Sequence, residues 1–142
     1  MMWLPELVAR DLNGAIRHLP SDLPGDPTLV IMAFRMNHQV HVNSWTNTFE
    51  GLPIIEVPLL DVSEQGMERF IEQGMRFGVR SREERARTWT AYTTLSEFRL
   101  GASLVDPRDI LILVVRPSGE ILGSTTGPAD IAGIERIRGL LG

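Results

Sequence analysis

Along this chain, stretches of continuous apolar residues alternate with stretches of helical period, and turn residues punctuate both. Thr28 to Arg35 (TLVIMAFR) is a β-prone apolar run bounded by turns, the pattern of a central strand covered on both faces. Leu52 to Leu60 repeats it, with Pro53 and Pro58 suggesting irregular ends, and Ile110 to Val115 (ILILVV) is a third run of the same kind. The three are expected to be neighbouring buried strands. Between the first two, Val42, Trp45 and Phe49 recur at helical spacing from Asn37, a residue suited to an N-cap, until Gly51 stops the segment. After the second, Asp61-Val62-Ser63-Glu64 has the form of a capping box. Met67, Phe70, Ile71, Gly74 and Met75 then supply one face of a helix.

The remaining elements are shorter. Asp11 to Gly14 reads as a tight turn before a short strand, Ala15 to Leu19, and Leu23 to Pro27 as a loop. Thr88 to Tyr92 alternates as a brief strand, and Thr94 to Gly101 reads as a short helix. Ile110 to Val115 and Glu120 to Gly123 flank Arg116-Pro117-Ser118-Gly119 as an antiparallel hairpin. Pro128 opens a last helix with Ile131, Ile134, Ile137 and Leu141 on one face. This order predicts an α/β sandwich: a central mixed β-sheet, helices on both faces, and a C-terminal hairpin plus helix.

Composition narrows the chemistry. The 142 residues suit one domain, 1–142, and 43% apolar with 23% charged is the balance of an ordinary globular protein. The longest apolar runs are too short to cross a bilayer, so no membrane insertion is expected. Met1 to Arg10 has neither a basic start nor an extended apolar core, which predicts a cytoplasmic location. A net charge of −4 argues against nucleic acid as a partner. All basic residues other than histidine are Arg, so no Schiff-base or P-loop lysine exists. There is no Cys, which excludes thiolate nucleophiles, disulfides and iron–sulfur ligation. No cofactor is expected.

Asp11 to Phe34 (DLNGAIRHLPSDLPGDPTLVIMAF) and Ile110 to Gly127 (ILILVVRPSGEILGSTTG) resemble the thioredoxin-like superfamily, in particular its branch of alkyl hydroperoxide reductases and membrane-associated thiol oxidoreductases. The resemblance implies a thioredoxin-like sandwich. In redox members a Cys-x-x-Cys pair begins the helix after the first long strand, and counting from Phe34 those places fall on Gln39 and Val42. The cis-proline usual before the hairpin strand would fall near Ile110. Pro107 stands three residues earlier, so that element is absent or shifted. Leu100-Gly101, Gly119 to Leu122 and the Gly turn before the last helix are also similar, more weakly, to the mitochondrial ATP synthase assembly chaperone family, in which the fold serves a non-redox role.

What remains is a set of candidate sites. Asn37, His38, Gln39 and His41 cluster at the expected helix start, where unpaired N–H groups and the helix dipole attract an anion or a carbonyl. The leading expectation is a binding or assembly module that recognises an unknown protein partner or small ligand there, with a homodimer as a further option. The alternative is an enzyme that uses His38 and His41 as acid/base or metal ligands, although no third ligand adjoins the pair. Ser44 follows His41 by three residues without a nucleophile elbow. Arg80, Arg82 and Arg85 belong to the densest basic stretch, a candidate anion contact whose plainer reading is a solvated helix face with internal ion pairs. Asp106, Asp109 and Glu97 read as solvated acids near one end of the sheet. Trp89 and Tyr92 read as core, and Trp3 as an exposed anchor.

Overall fold

Eight strands form one curled mixed sheet in the computed structural model of the chain, which describes residues 2–62, 81–100 and 103–142. In chain order the strands are β1 (Met2–Trp3), β2 (Leu7–Asp11), β3 (Ile16–Leu19), β4 (Thr28–Ala33), β5 (Ile54–Asp61), β6 (Trp89–Thr93), β7 (Arg99–Leu100), β8 (Ser103–Leu104), β9 (Leu111–Val115) and β10 (Glu120–Thr126). The order across the sheet is β1-β10-β9-β4-β5-β6-β2-β3, and β7 pairs with β8 apart from it. Among the described residues the helices are α1 (Gln39–Thr48), α2 (Arg82–Ala86) and α3 (Ile131–Leu141).

The three long apolar runs are neighbours, as expected. β4 runs parallel to β5, with Val30 beside Ile55, and antiparallel to β9, with Val30 beside Leu113. Their side chains sort by parity. Leu29, Ile31, Ile112 and Val114 face α1 and α3, where Val42, Trp45, Phe49 and Ile137 meet them. Val30, Met32, Val57 and Leu113 face the other way and pack with Leu4, Leu23, Trp89 and Phe98 inside the curl. Both faces of β4 are therefore dry, which is why its sequence reads as an unbroken apolar run.

The structure corrects several local expectations. The helix expected over Thr94 to Gly101 does not form across the described residues 94–100. A single 3-10 turn, Leu95–Glu97, leads into β7, whose Leu100 is buried in the curl. Asn37 does not cap α1: it sits in a 3-10 turn, Met36–His38, and the N-cap is His38, with no side-chain cap hydrogen bond. Asp130, not Pro128, marks the start of α3, and its carboxylate accepts from the Gly133 N–H at 2.7 Å. Ile131 then falls off the apolar face and stands 80% exposed. Pro58 lies inside β5; having no N–H to donate, it interrupts the ladder to β6 between the Glu56–Thr88 bridge and the Leu59–Ala91 pair. Ile110 is buried immediately before β9, and the cis peptide bonds precede Pro20 and Pro27. The capping box from Ser63 onward, the helix face Met67 to Met75, Arg76 and Arg80 lie outside the described residues.

β1 and β2 were not expected as strands. β2 alternates exposed and buried positions over only five residues, Leu7–Asp11, and β1 is two residues long, so neither carries a strong period. Together they join the two sides of the sheet. β1 pairs with β10 at Met2–Ile121 and Trp3–Glu120, while β2 pairs with β6 and β3.

Candidate functional site

The parallel strands β4, β5 and β6 end on the same side of the sheet, and α1 begins there, directly after β4. The chain leaves β4 through Phe34 and Arg35 and turns into α1 with the help of His38. The Phe34 N–H donates to His38 Nδ1 at 3.1 Å, and the two rings meet edge to face. With 5% of its surface exposed, His38 closes the strand-to-helix turn from inside and satisfies a backbone donor that β4 no longer pairs.

The remaining members of the candidate cluster diverge. Asn37 is exposed. Gln39, the first residue of α1, is half-buried and donates from Nε2 to Asn43 Oδ1 at 2.9 Å, one turn on. Val42, three residues later, is 2% exposed and belongs to the core under α1. The two places that the resemblance assigns to thiols are thus a polar group at the helix start and a packed aliphatic one. His41 is half-buried, and its Nδ1 is a buried atom without a hydrogen-bond partner. Ser44 donates to the His41 carbonyl at 2.6 Å and accepts from Ala129 N–H at 3.0 Å, so its hydroxyl ties α1 to the loop before α3 rather than meeting an imidazole. Trp45 reinforces that tie, with its indole N–H on Gly127 O at 2.8 Å and its ring stacked on Phe49.

Asp106 is solvent-exposed, as expected, and pairs at this end with Arg108. Arg108 donates to Asp106 through its backbone N–H at 2.9 Å and its guanidinium at 2.9 Å and 3.0 Å. These bonds, with a further contribution from Arg35 at the end of β4, hold the Asp106 carboxyl down at about 2. Its ion pair raises the Arg108 guanidinium. Asp109 accepts from the Ile110 N–H and so caps the start of β9. The signal was present in Asp106-Pro107-Arg108, an Asx-turn sequence whose acid reaches the backbone two residues on. What it could not tell is that Arg35, 71 positions earlier, would face it.

The arginine stretch lies at the opposite end, where α2 precedes β6. Ser81 caps α2 on the Glu84 N–H. Arg85 donates from Nε to Asn13 Oδ1 at 3.0 Å, Asn13 Nδ2 donates to the Arg82 carbonyl at 3.3 Å, and the Leu12 N–H donates to the Arg85 carbonyl at 3.1 Å. Arg85 is therefore used to dock α2 on the turn after β2, while Arg82 is exposed. The structure does not bring these arginines to the α1 end. Among the described residues, no three His, Asp or Glu side chains are grouped to hold a metal ion. No helix among them is long and apolar enough to cross a membrane. Trp89 is buried, Tyr92 half-buried, and Trp3 is 49% exposed.

No protein-family model and no curated protein matches the chain. Solved structures do. BsSco, a member of the Sco family of cytochrome c oxidase assembly proteins, superposes with a TM-score of 0.68 at 12% identity, over 99% of this chain and 92% of that one. A thio-disulfide isomerase from Thermus thermophilus gives 0.61 at 12% identity, over 98% and 94%. Copper-bound ScoI of Arabidopsis thaliana gives 0.58 at 8% identity, over 96% of each chain. At such identities the likeness concerns the backbone alone: the chain has a thioredoxin-like fold and contains no cysteine.

Proposed function

We propose that this protein is a non-redox binding or assembly module, in which the start of α1 serves as a recognition surface instead of a dithiol centre. The observation that carries the reading is the replacement at positions 39 and 42. Gln39 puts an amide at the first residue of α1, Val42 is sealed in the core, and no thiol exists elsewhere in the chain to take over. The first-turn N–H groups of α1 receive no side-chain cap, and they carry the positive end of the helix dipole. Asn37 and Gln39 flank them, and His41 holds an unpaired ring nitrogen close by. An anion or a carbonyl of a partner protein suits such a place. Assembly is the role printed for BsSco, and the likeness of Leu100-Gly101 and Gly119 to Leu122 to the ATP synthase assembly chaperones points the same way. The Gly119 likeness carries less weight, because its φ of 98° is one that the β9–β10 turn itself demands of a glycine.

The enzymatic alternative rests on His41, since His38 Nδ1 is already committed to the Phe34 N–H. One NMR titration separates the two readings. Acetate and candidate partner proteins should shift amides 37–41 saturably, and Gln39→Ala should weaken the response without loss of stability. If Gln39→Ala and His41→Ala leave every interaction unchanged while the melting temperature falls, the residues are structural and the reading fails. If instead zinc or copper binds stoichiometrically through His41, the enzyme reading replaces it.

A further inference from the structure

The β2–β3 hairpin and the turn between β9 and β10 border a cleft of about 450 Å3, which shares no residue with the α1 end. Buried Leu19 and Pro20 line it together with Pro117, and Glu6, His18, Ser21 and Ser118 are its exposed polar residues. The size lies within the range of small-molecule clefts, roughly 300 to 1,000 Å3.

Charge decides what fits. No arginine is among the lining residues, and the two arginines adjacent to them in sequence are held elsewhere. Arg17 bonds Asp11 Oδ2 at 3.1 Å and lies over the Trp89 ring. Arg116 bonds Asp26 at 2.8 Å and lies 3.8 Å from Glu120. One carboxylate does line the cleft, that of Glu6. An anion would meet the Glu6 carboxylate and no arginine. A metal ion would find Glu6 and His18 but no third such ligand among the described residues. An aliphatic lining beside one exposed carboxylate instead matches an amphipathic cation.

We infer that this cleft binds a small organic cation, an ammonium or guanidinium group on a short aliphatic stem, with the stem against Leu19, Pro20 and Pro117 and the charge beside Glu6. The source is either a free amine or the side chain of an arginine in a partner peptide, and the chemistry is the same for both.

Amide NMR of the full chain tests it with N-butylguanidinium, its uncharged counterpart N-butylurea, and a blocked Gly-Arg-Gly tripeptide. Saturable shifts confined to residues 6–8, 18–21 and 117–118 are expected with N-butylguanidinium. Binding should be about three- to fivefold weaker for N-butylurea and for Glu6→Gln, as befits an exposed charge pair. Ser118→Trp, a change at an exposed turn position, should abolish it. Tighter binding of the tripeptide would identify the source as a peptide, and weaker binding a free amine. Equal binding of butylurea and butylguanidinium overturns the inference. So does the absence of saturation up to about 50 mM, a ceiling that already allows very weak affinity. Wild-type affinity in Glu6→Gln or Ser118→Trp, each with an unchanged melting midpoint, overturns it as well.

Discussion

The two helices that carry the chain's candidate polar clusters are held in different ways. α1 is anchored by bonds that reach into the protein: His38 to the end of β4, Ser44 to Ala129, and the Trp45 indole to Gly127, with the Trp45 and Phe49 rings packed beneath. α2 buries no side chain; it exchanges bonds with the Leu12 to Asn13 turn, and its Glu84 and Ala86 carbonyls accept the Thr88 hydroxyl and the Trp89 indole N–H, each at 2.8 Å. Both clusters look alike in sequence, as polar residues beside an apolar run. The difference is that three side chains at α1, His38, Ser44 and Trp45, are tied to other parts of the fold, so any recognition at its start uses a preformed frame. α2 is held to the core through backbone carbonyls instead, so its exposed side chains can change with little consequence for packing.

The contrast breaks most readily at Trp45. Trp45→Ala removes a fully buried ring, a stack and an indole hydrogen bond, and should cost about 3 to 5 kcal/mol in a denaturant titration. A loss below about 1 kcal/mol would mean that α1 is no better anchored than α2. Arg85→Ala should be far milder, under about 1 kcal/mol, because the bond to Asn13 is exposed and the Leu12 to Arg85 backbone bond survives. The smallest effect concerns Asp106. Its carboxyl is held below the ordinary carboxylate range, so its ion pair contributes fully above the unfolded value near 4 and is lost as pH falls through about 2. Side-chain carboxyl shifts followed by NMR should titrate near that lower value, and Arg108→Ala should move the midpoint upward. An unchanged midpoint would leave the Asp106 pairing without support.

Much of this architecture was legible because burial on both faces writes itself into composition. β4 and β9 are apolar runs, β5 is one apart from buried Glu56 and the terminal Asp61, and α1 shows Val42, Trp45 and Phe49 at helical spacing, all buried as expected. Elements that depend on partners were not legible. β7 and the 3-10 turn before it occupy a stretch whose local pattern suits a helix, and tertiary packing of Phe98 and Leu100 into the curl decides otherwise. The candidate site was half legible. Its place at the end of β4 followed from alternation of strand and helix. That His38 would turn inward while Asn37 stays exposed depends on a backbone donor at Phe34 that no sequence period reveals.

β1 joins positions far apart in the chain, since Met2 pairs with Ile121. Closed before the rest of the fold, that contact would trap a loop of more than a hundred residues, at an entropic cost of about 4 kcal/mol. A two-residue strand cannot offset so much. Once β2 is seated beside β6 and β10 beside β9, only the short stretch 4–6 separates β1 from its anchored neighbour, and closure is cheap. The order of events is therefore written into the topology: β1 is the last strand to zip, and its amides should be the first in the sheet to exchange with solvent.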